Sequence, residues 1–451
     1  MKNLLLFIIF ITNFILVFNT ETYSQSYLWA WGWNDYGQIG DGTNLNKRVP
    51  TQITNNSDWK YINSGGSHTI AVKMDGTLWT WGKNELGQLG DGTTIDKYIP
   101  TQIGNDNDWQ YVAAGSDHTL AIKTDGTLWA WGANYGGQLG DGTSIDKYVP
   151  TQIGNDNDWK TVVAGVYHTI AVKMDGTLWA WGGNDGGQLG NGTALPENIP
   201  TQIGNDTDWK HITAKATHTI AIKTNGTLWA WGWNWSGQLG NGTALPENIP
   251  TQIGDDTDWK TVVAGIYHTI AVKTNGTLWA WGDNYGGQHG DGTTVRKLTP
   301  TQIGNDTDWK DIDTWESHTV ALKTNGTLWA WGSNYYGELG DSTTIIKYFP
   351  TQIGDGTDWK DIATGSGYTV ALKESGNPNL SINDNPFQNK TNNTLYVTLQ
   401  NRNLKIYLST EEQGIFNITI TNLTGQIIKN ENFLASKSIY KNEEILNFDM
   451  K

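Results

Sequence analysis

Histidine recurs at a fixed interval: His68, His118, His168, His218, His268 and His318 each precede a Thr and an apolar run, and Tyr368 holds the seventh place. Imidazoles in series could bind metal or carry protons. One ligand per 50-residue unit would be spread too widely for a single tetrahedral site. Each His therefore reads as the first residue of a buried strand, donating to a neighbouring backbone carbonyl. His211 and His289 are isolated. Carboxylates form two further series, the NDND or NDTD tracts before Trp109, Trp159, Trp209 and Trp309, and the DGT loops at Asp41, Asp91, Asp141 and Asp291. Oxygen-rich loops can hold calcium, but no bidentate Glu or fixed ligand order follows these, and Asx and Gly turn chemistry accounts for them. No metal, cofactor or catalytic residue is assigned. There is no phosphate-cradling loop, nucleophile elbow or HExxH tract. A carboxylate pair across a pore stays open, because Asp and Glu are abundant.

The elements that hold these residues repeat too. WAWG or WTWG begins at Trp29, Trp79, Trp129, Trp179, Trp229, Trp279 and Trp329. A period of this size means that each unit is one supersecondary block that buries its apolar face only against its neighbours. In the unit around Tyr111, strands are expected at Trp109 to Ala114, His118 to Lys123, Thr127 to Trp131 and Val149 to Ile153. Asp125-Gly126 is expected to form a two-residue turn with both residues at positive φ. Pro150 suits an edge strand. Four strands per unit match a propeller blade. The array opens on a returning strand, Tyr27 to Gly32, and closes on an outgoing one, Tyr368 to Lys373. Asp/Asn-Gly hairpins join such strands at Asp75, Asp125, Asp175, Asn225, Asn275 and Asn325. The seventh pairing can form only between the two ends, which predicts a closed ring. An open stack would leave both edges unpaired.

The pattern GxxHT(I/L/V)A(V/I/L)K, then (D/N)GTLWAWG, then N-x-x-GQLG-(D/N)-GT, resembles the regulator-of-chromosome-condensation repeat. The resemblance covers residues 27–376 and implies a seven-bladed β-propeller. The large insertions that carry partner contacts in some members of that family are missing here. For some members the family also implies guanine-nucleotide exchange on a small GTPase, and that is one rival reading of this chain.

Of the 25 Trp, 14 lie in the WxWG tracts and seven more at Trp59, Trp109, Trp159, Trp209, Trp259, Trp309 and Trp359; all of these read as core or inter-blade packing. The informative residues are those that vary on a constant frame. One variable loop separates the repeated Gly from the His; the other follows WG. Their aromatic members are Trp33, Tyr36, Tyr135, Tyr167, Trp233, Trp235, Tyr267, Tyr285, Trp315, Tyr335 and Tyr336. Gathered on one propeller face, and mixed with Asp and Glu, they read as a contact surface for a protein or glycan. A second rival is a carboxylate-based glycan-active enzyme, and a third is a purely structural surface protein.

The net charge of −15 disfavours a nucleic-acid partner. The chain has no Cys, which removes disulfides and thiol chemistry. Residues 1–26 read as an export signal: Lys2, an apolar run from Leu4 to Phe18, then small residues near Ser24 and Ser26. No Cys follows that run, so a lipid anchor there is excluded. Composition shifts at Asn377, and residues 377–451 are expected to form a small β-sandwich. NPF at Asn385 to Phe387, with ITNLTGQIIK from Ile420 to Lys429, is similar to the C-terminal sorting domain of type IX secretion substrates. A Gly-x-Tyr segment usual in that family is absent before Lys451, so this domain reads as shortened. The expectation is an all-β, monomeric binding scaffold, secreted or held on the outer cell surface, that meets the secretion machinery through its C-terminal domain.

Overall fold

The computed structural model describes residues 12–16, 26–374, 394–400, 403–409, 414–421 and 427–435. The chain divides into two compact units, residues 26–374 and the two flanking segments. The larger unit is seven four-stranded antiparallel sheets. In the second blade the strands run Trp109–Ala114, His118–Lys123, Leu128–Gly132 and Lys147–Gln152, from the channel outward. These lie within a few residues of the predicted positions. Pro150 stands on the outermost, edge strand, where no neighbour needs its missing N–H.

The seventh sheet closes the ring. Its order is Trp359–Gly365, Tyr368–Glu374, Ser26–Gly32, Lys47–Gln52, so the two ends of the array share one blade. Tyr27 pairs with Lys373, Trp29 with Ala371 and Gly32 with Tyr368. The register is the one each covalent hairpin makes elsewhere, as in Trp129 with Ala121 and Gly132 with His118.

Hairpin geometry differs from expectation. Gly126 has φ +82°, but Asp125 remains at negative φ, because the only non-Gly residue at positive φ among those described is Ser342. Gly126 N donates to Lys123 O, and Lys123 N to Thr127 O. This is a type I turn followed by a left-handed Gly, the three-residue hairpin with a bulge. Asp125 serves it through its side chain, whose Oδ1 accepts from Thr127 N and Thr127 Oγ1.

Tryptophan ties blade to blade. The second Trp of each WxWG tract is fully buried, as Trp131 and Trp181 are. Trp181 Nε1 donates to Gln138 O of the preceding blade at 3.0 Å. A Cβ on Gly140 would stand 2.6 Å from that nitrogen, so glycine is required where the indole crosses. Trp159 meets Trp179 and Trp181 edge to face at 5.9 Å each. Lys123 Nζ lies over Trp109 and Trp129 at 4.7 and 4.8 Å, and Asp106 and Asp108 pair with it at 2.6 and 3.1 Å. The acidic tracts thus anchor a lysine against the tryptophans.

In the smaller unit, Thr394–Gln400 pairs with Asn403–Ser409, and Gly414–Thr421 pairs with Ile427–Ala435. Thr12–Leu16 lies parallel to Gly414–Thr421. The predicted sandwich packing, the NPF tract and most of the signal-type segment fall outside the described residues.

Candidate functional site

The repeated His residues fasten neighbouring blades. His68 Nε2 lies 2.9 Å from Thr119 Oγ1 of the next blade. Thr119 Oγ1 gives its own proton to Gln88 O at 2.7 Å, so His68 Nε2 must be the donor. The partner is a Thr hydroxyl rather than the expected backbone carbonyl, because the threonine after each His turns toward the preceding blade. Burial holds His68, His118, His168, His218 and His318 neutral, each down to about 3. His289 is buried where the other units carry Ile or Leu. In the DGT loops, Asp41 Oδ1 accepts from Thr43 N and Thr43 Oγ1 while Oδ2 pairs with Lys47 at 2.7 Å. Among the described residues no group of three or more His, Cys, Asp or Glu is placed to hold a metal ion.

Both variable loops meet on one face. Trp33 N donates to Gly367 O, Lys83 N to Ser67 O, Gly183 N to Tyr167 O, and Asp283 N to Tyr267 O. The aromatic residues there form three clusters. Trp33 contacts Tyr36 at 5.4 Å and Tyr336 at 5.6 Å, joining the sixth and seventh blades. Tyr135 meets Tyr167 across two blades at 5.4 Å. Trp233 and Trp235 meet at 4.4 Å. Tyr267, Tyr285 and Tyr335 stand free in solvent, Tyr285 at 85 % exposure. Lys83 pairs with Glu85 and Asp117 and lies over Tyr36.

Trp315 is the exception and corrects the sequence reading: it is 2 % exposed and belongs to no outer surface. It replaces the glycine of Gly65, Gly115, Gly165, Gly265 and Gly365, beside the axis, and Lys215 replaces the same glycine in the fourth blade. Lys215 Nζ pairs with Asp313 Oδ1 at 2.6 Å and donates to Thr364 Oγ1 at 3.3 Å. It lies 5.4 Å from the Trp315 ring. Those partners sit two and three blades away, so the lysine must cross the channel. Lys215, Asp313 and Trp315 together plug it beneath the aromatic face. Burial pulls the Lys215 ammonium below the usual lysine range, against the opposing pull of Asp313. Deeper along the same strands lie Tyr61, Tyr111, Thr161, His211, Thr261, Asp311 and Asp361. Burial, then the neighbouring Asp311, pushes Asp361 up to about 7. The sequence reading missed the plug. Its available signal was a lysine and a tryptophan at a position that the other five units fill with glycine.

A closed ring of seven near-identical blades, with a plugged channel and one varied aromatic face, defines a β-propeller whose individuality lies in its face loops and in the strand positions around its channel. The RCC1-like domain pattern matches residues 22–260, and the RCC1 repeat pattern matches residues 259–288, 275–322 and 325–372. The chain belongs to the RCC1-like family. Human WBSCR16 has a similar fold, with a TM-score of 0.70 at 20 % identity, covering 78 % of this chain and 99 % of that one. Prp20p of Saccharomyces cerevisiae, a protein with binding properties toward Gsp1p and histones, has a TM-score of 0.71 at 21 % identity, covering 78 % and 93 %. The ultraviolet-B receptor UVR8 of Arabidopsis thaliana is 41 % identical over 51 residues, 11 % of this chain and 12 % of that protein. The match thus spans about an eighth of the receptor's length.

Proposed function

We propose that this chain is a secreted or surface-displayed binding scaffold that recognises a protein or glycan through the aromatic loops of one propeller face. The observation that carries this reading is the contrast between frame and face. The blades repeat almost residue for residue, while the loops that share one face differ in every unit and expose Tyr135, Trp235, Tyr285 and Tyr335. Large aromatic side chains held in solvent are costly without a partner and are the residues that dominate interface energies. Loops fixed on a closed ring lose little entropy on binding. A protein partner accords with the fold relative Prp20p, which binds other proteins. Export would run through the signal-type segment and the sorting-type tail. In the test, the purified full chain is displayed against envelope proteins and a glycan panel, with a Trp233→Ala/Trp235→Ala double variant beside it. Capture by the parent chain and loss in the variant is expected; equal capture by both removes this face from the function.

A further inference from the structure

One cleft on this face departs from the repeat in several ways at once. It is a cavity of about 340 Å³ between the third and fourth blades, lined by Asp185, Gly186, Trp233, Trp235, Pro246 and Asn248 among others. Trp233 and Trp235 meet at 67° between ring planes, so the two indoles make a corner rather than a flat platform. This post-WG loop alone carries two Trp. Trp233 lies against Gly186 so closely that a Cβ there would fall 1.7 Å from the ring, so this pose of the indole needs glycine at that position; Trp33, which faces Tyr336 instead, packs on that ring at 5.6 Å. Trp235 remains 64 % exposed.

The space itself comes from a second departure. Asn248 stands where Tyr98, Tyr148 and Tyr348 pack against the matching glycine in other blades, and the shorter side chain leaves the cleft open. The same stretch changes the local charge. Lys47, Lys97, Lys147 and Lys347 each pair with the aspartate of their own DGT or DST loop. In the third and fourth blades Glu197 and Glu247 replace that lysine, and Asn191 and Asn241 replace the aspartate. The cleft thus has one carboxylate, Asp185, and no cation lines it, while the neighbouring Glu247 carboxylate accepts from Asn241 Nδ2. Arg296 donates from outside the lining to Trp235 O at 3.3 Å, which braces the loop.

Two indoles in a corner with a lining carboxylate, on a chain of net charge −15, are what a desolvated cation needs. The geometry points to this cleft as the seat for a cationic side chain, a lysine, methyl-lysine or arginine, presented by a basic polypeptide. This rests on the recognition face proposed above and names its partner class. A sugar ring would favour an open, flat indole with several hydrogen-bonding groups around it, and here Asp185 and Asn248 are the polar side chains in reach.

The test uses the full chain and calorimetric titration with a short neutral-flanked peptide carrying one central lysine, its trimethyl-lysine and acetyl-lysine forms, and a panel of neutral oligosaccharides. The lysine and trimethyl-lysine peptides should bind and the acetyl form should bind at least about tenfold more weakly. Trp235→Ala should cost about tenfold, Asp185→Asn should weaken binding and flatten its salt dependence, and Tyr285→Ala on another blade should change nothing. Trp235 and Asp185 are exposed, and matching melting curves verify the fold of each variant. Equal affinity for the acetyl form, indifference to Trp235→Ala, or no binding of any peptide would overturn the cation seat. A Trp235-dependent oligosaccharide complex would overturn it while leaving the recognition face in place.

Discussion

The buried histidines predict that this propeller is acid-labile well before its exposed carboxylates titrate. Five of them, His68, His118, His168, His218 and His318, are held down to about 3 by burial, against an ordinary value of 6.5. The unfolded chain takes up protons near pH 6.5 that the folded chain refuses, so stability is fully present above that value and falls as pH drops toward 3. At pH 5.5 each His costs about 1.4 kcal/mol, and the five together about 7 kcal/mol. Asp361 works in the opposite direction. Its carboxyl is raised to about 7, so the folded state gains a proton first and recovers about 2 kcal/mol at the same pH. The balance of these six groups, a loss of about 5 kcal/mol, is a large share of the roughly 5–15 kcal/mol that holds a domain together. Urea midpoints followed by Trp fluorescence from pH 8 to pH 4 should fall steeply between pH 6.5 and 5. His118→Gln should reduce that slope by about 1.4 kcal/mol per pH unit, one proton's worth. A midpoint unchanged from pH 7 to pH 4.5, or imidazole proton resonances that titrate near 6.5 in the folded protein, would refute the reasoning.

Three further outcomes follow from close packing. Gly140→Ala places a Cβ 2.6 Å from Trp181 Nε1 at φ +79°, whereas Gly154→Ala meets nothing within 4 Å at φ +65°. Thermal melts should show a loss of several kcal/mol for the first and about 1 kcal/mol for the second. Lys215→Met removes the cation from the Asp313 carboxylate inside the channel and should cost about 3–5 kcal/mol, while Lys215→Met with Asp313→Asn, which keeps an acceptor for Thr364 N, should recover much of it; a double-mutant cycle on chemical denaturation reads the coupling. Ser342 sits at φ 69° where six other units carry Gly, so Ser342→Gly should raise stability by about 0.5–1 kcal/mol in the same melts.

How far the sequence reached depends on whether an interaction is repeated. The ring closure was legible because Tyr27 and Tyr368 bound half-hairpins that the other six units complete covalently, and the pairing of Gly32 with Tyr368 follows from that offset alone. The hairpin type was not, because a DG pair is compatible with both a two-residue and a three-residue turn, and the choice rests on whether Thr127 can bond to the Asp125 side chain. The clamp on Lys123 was hidden for a similar reason: Asp106 lies 17 residues away and looks, by itself, like turn chemistry.

In the proposed function the departures from the repeat carry recognition, but their meaning depends on radius, which a linear reading does not contain. Trp315 and Trp235 are both single-unit tryptophans in variable loops. Trp315 occupies the glycine position nearest the axis, where the seven blades converge, so it turns into the channel beside a lysine whose ion partner is 98 residues distant. Trp235 stands on the post-WG loop farther from the axis, where adjacent blades diverge, and the shortened Asn248 keeps its ring open to solvent. The same kind of substitution therefore builds a plug at one radius and the proposed binding corner at another. Exchanging the two loop sequences would not exchange their roles, since the inner position admits a large side chain only by filling the pore.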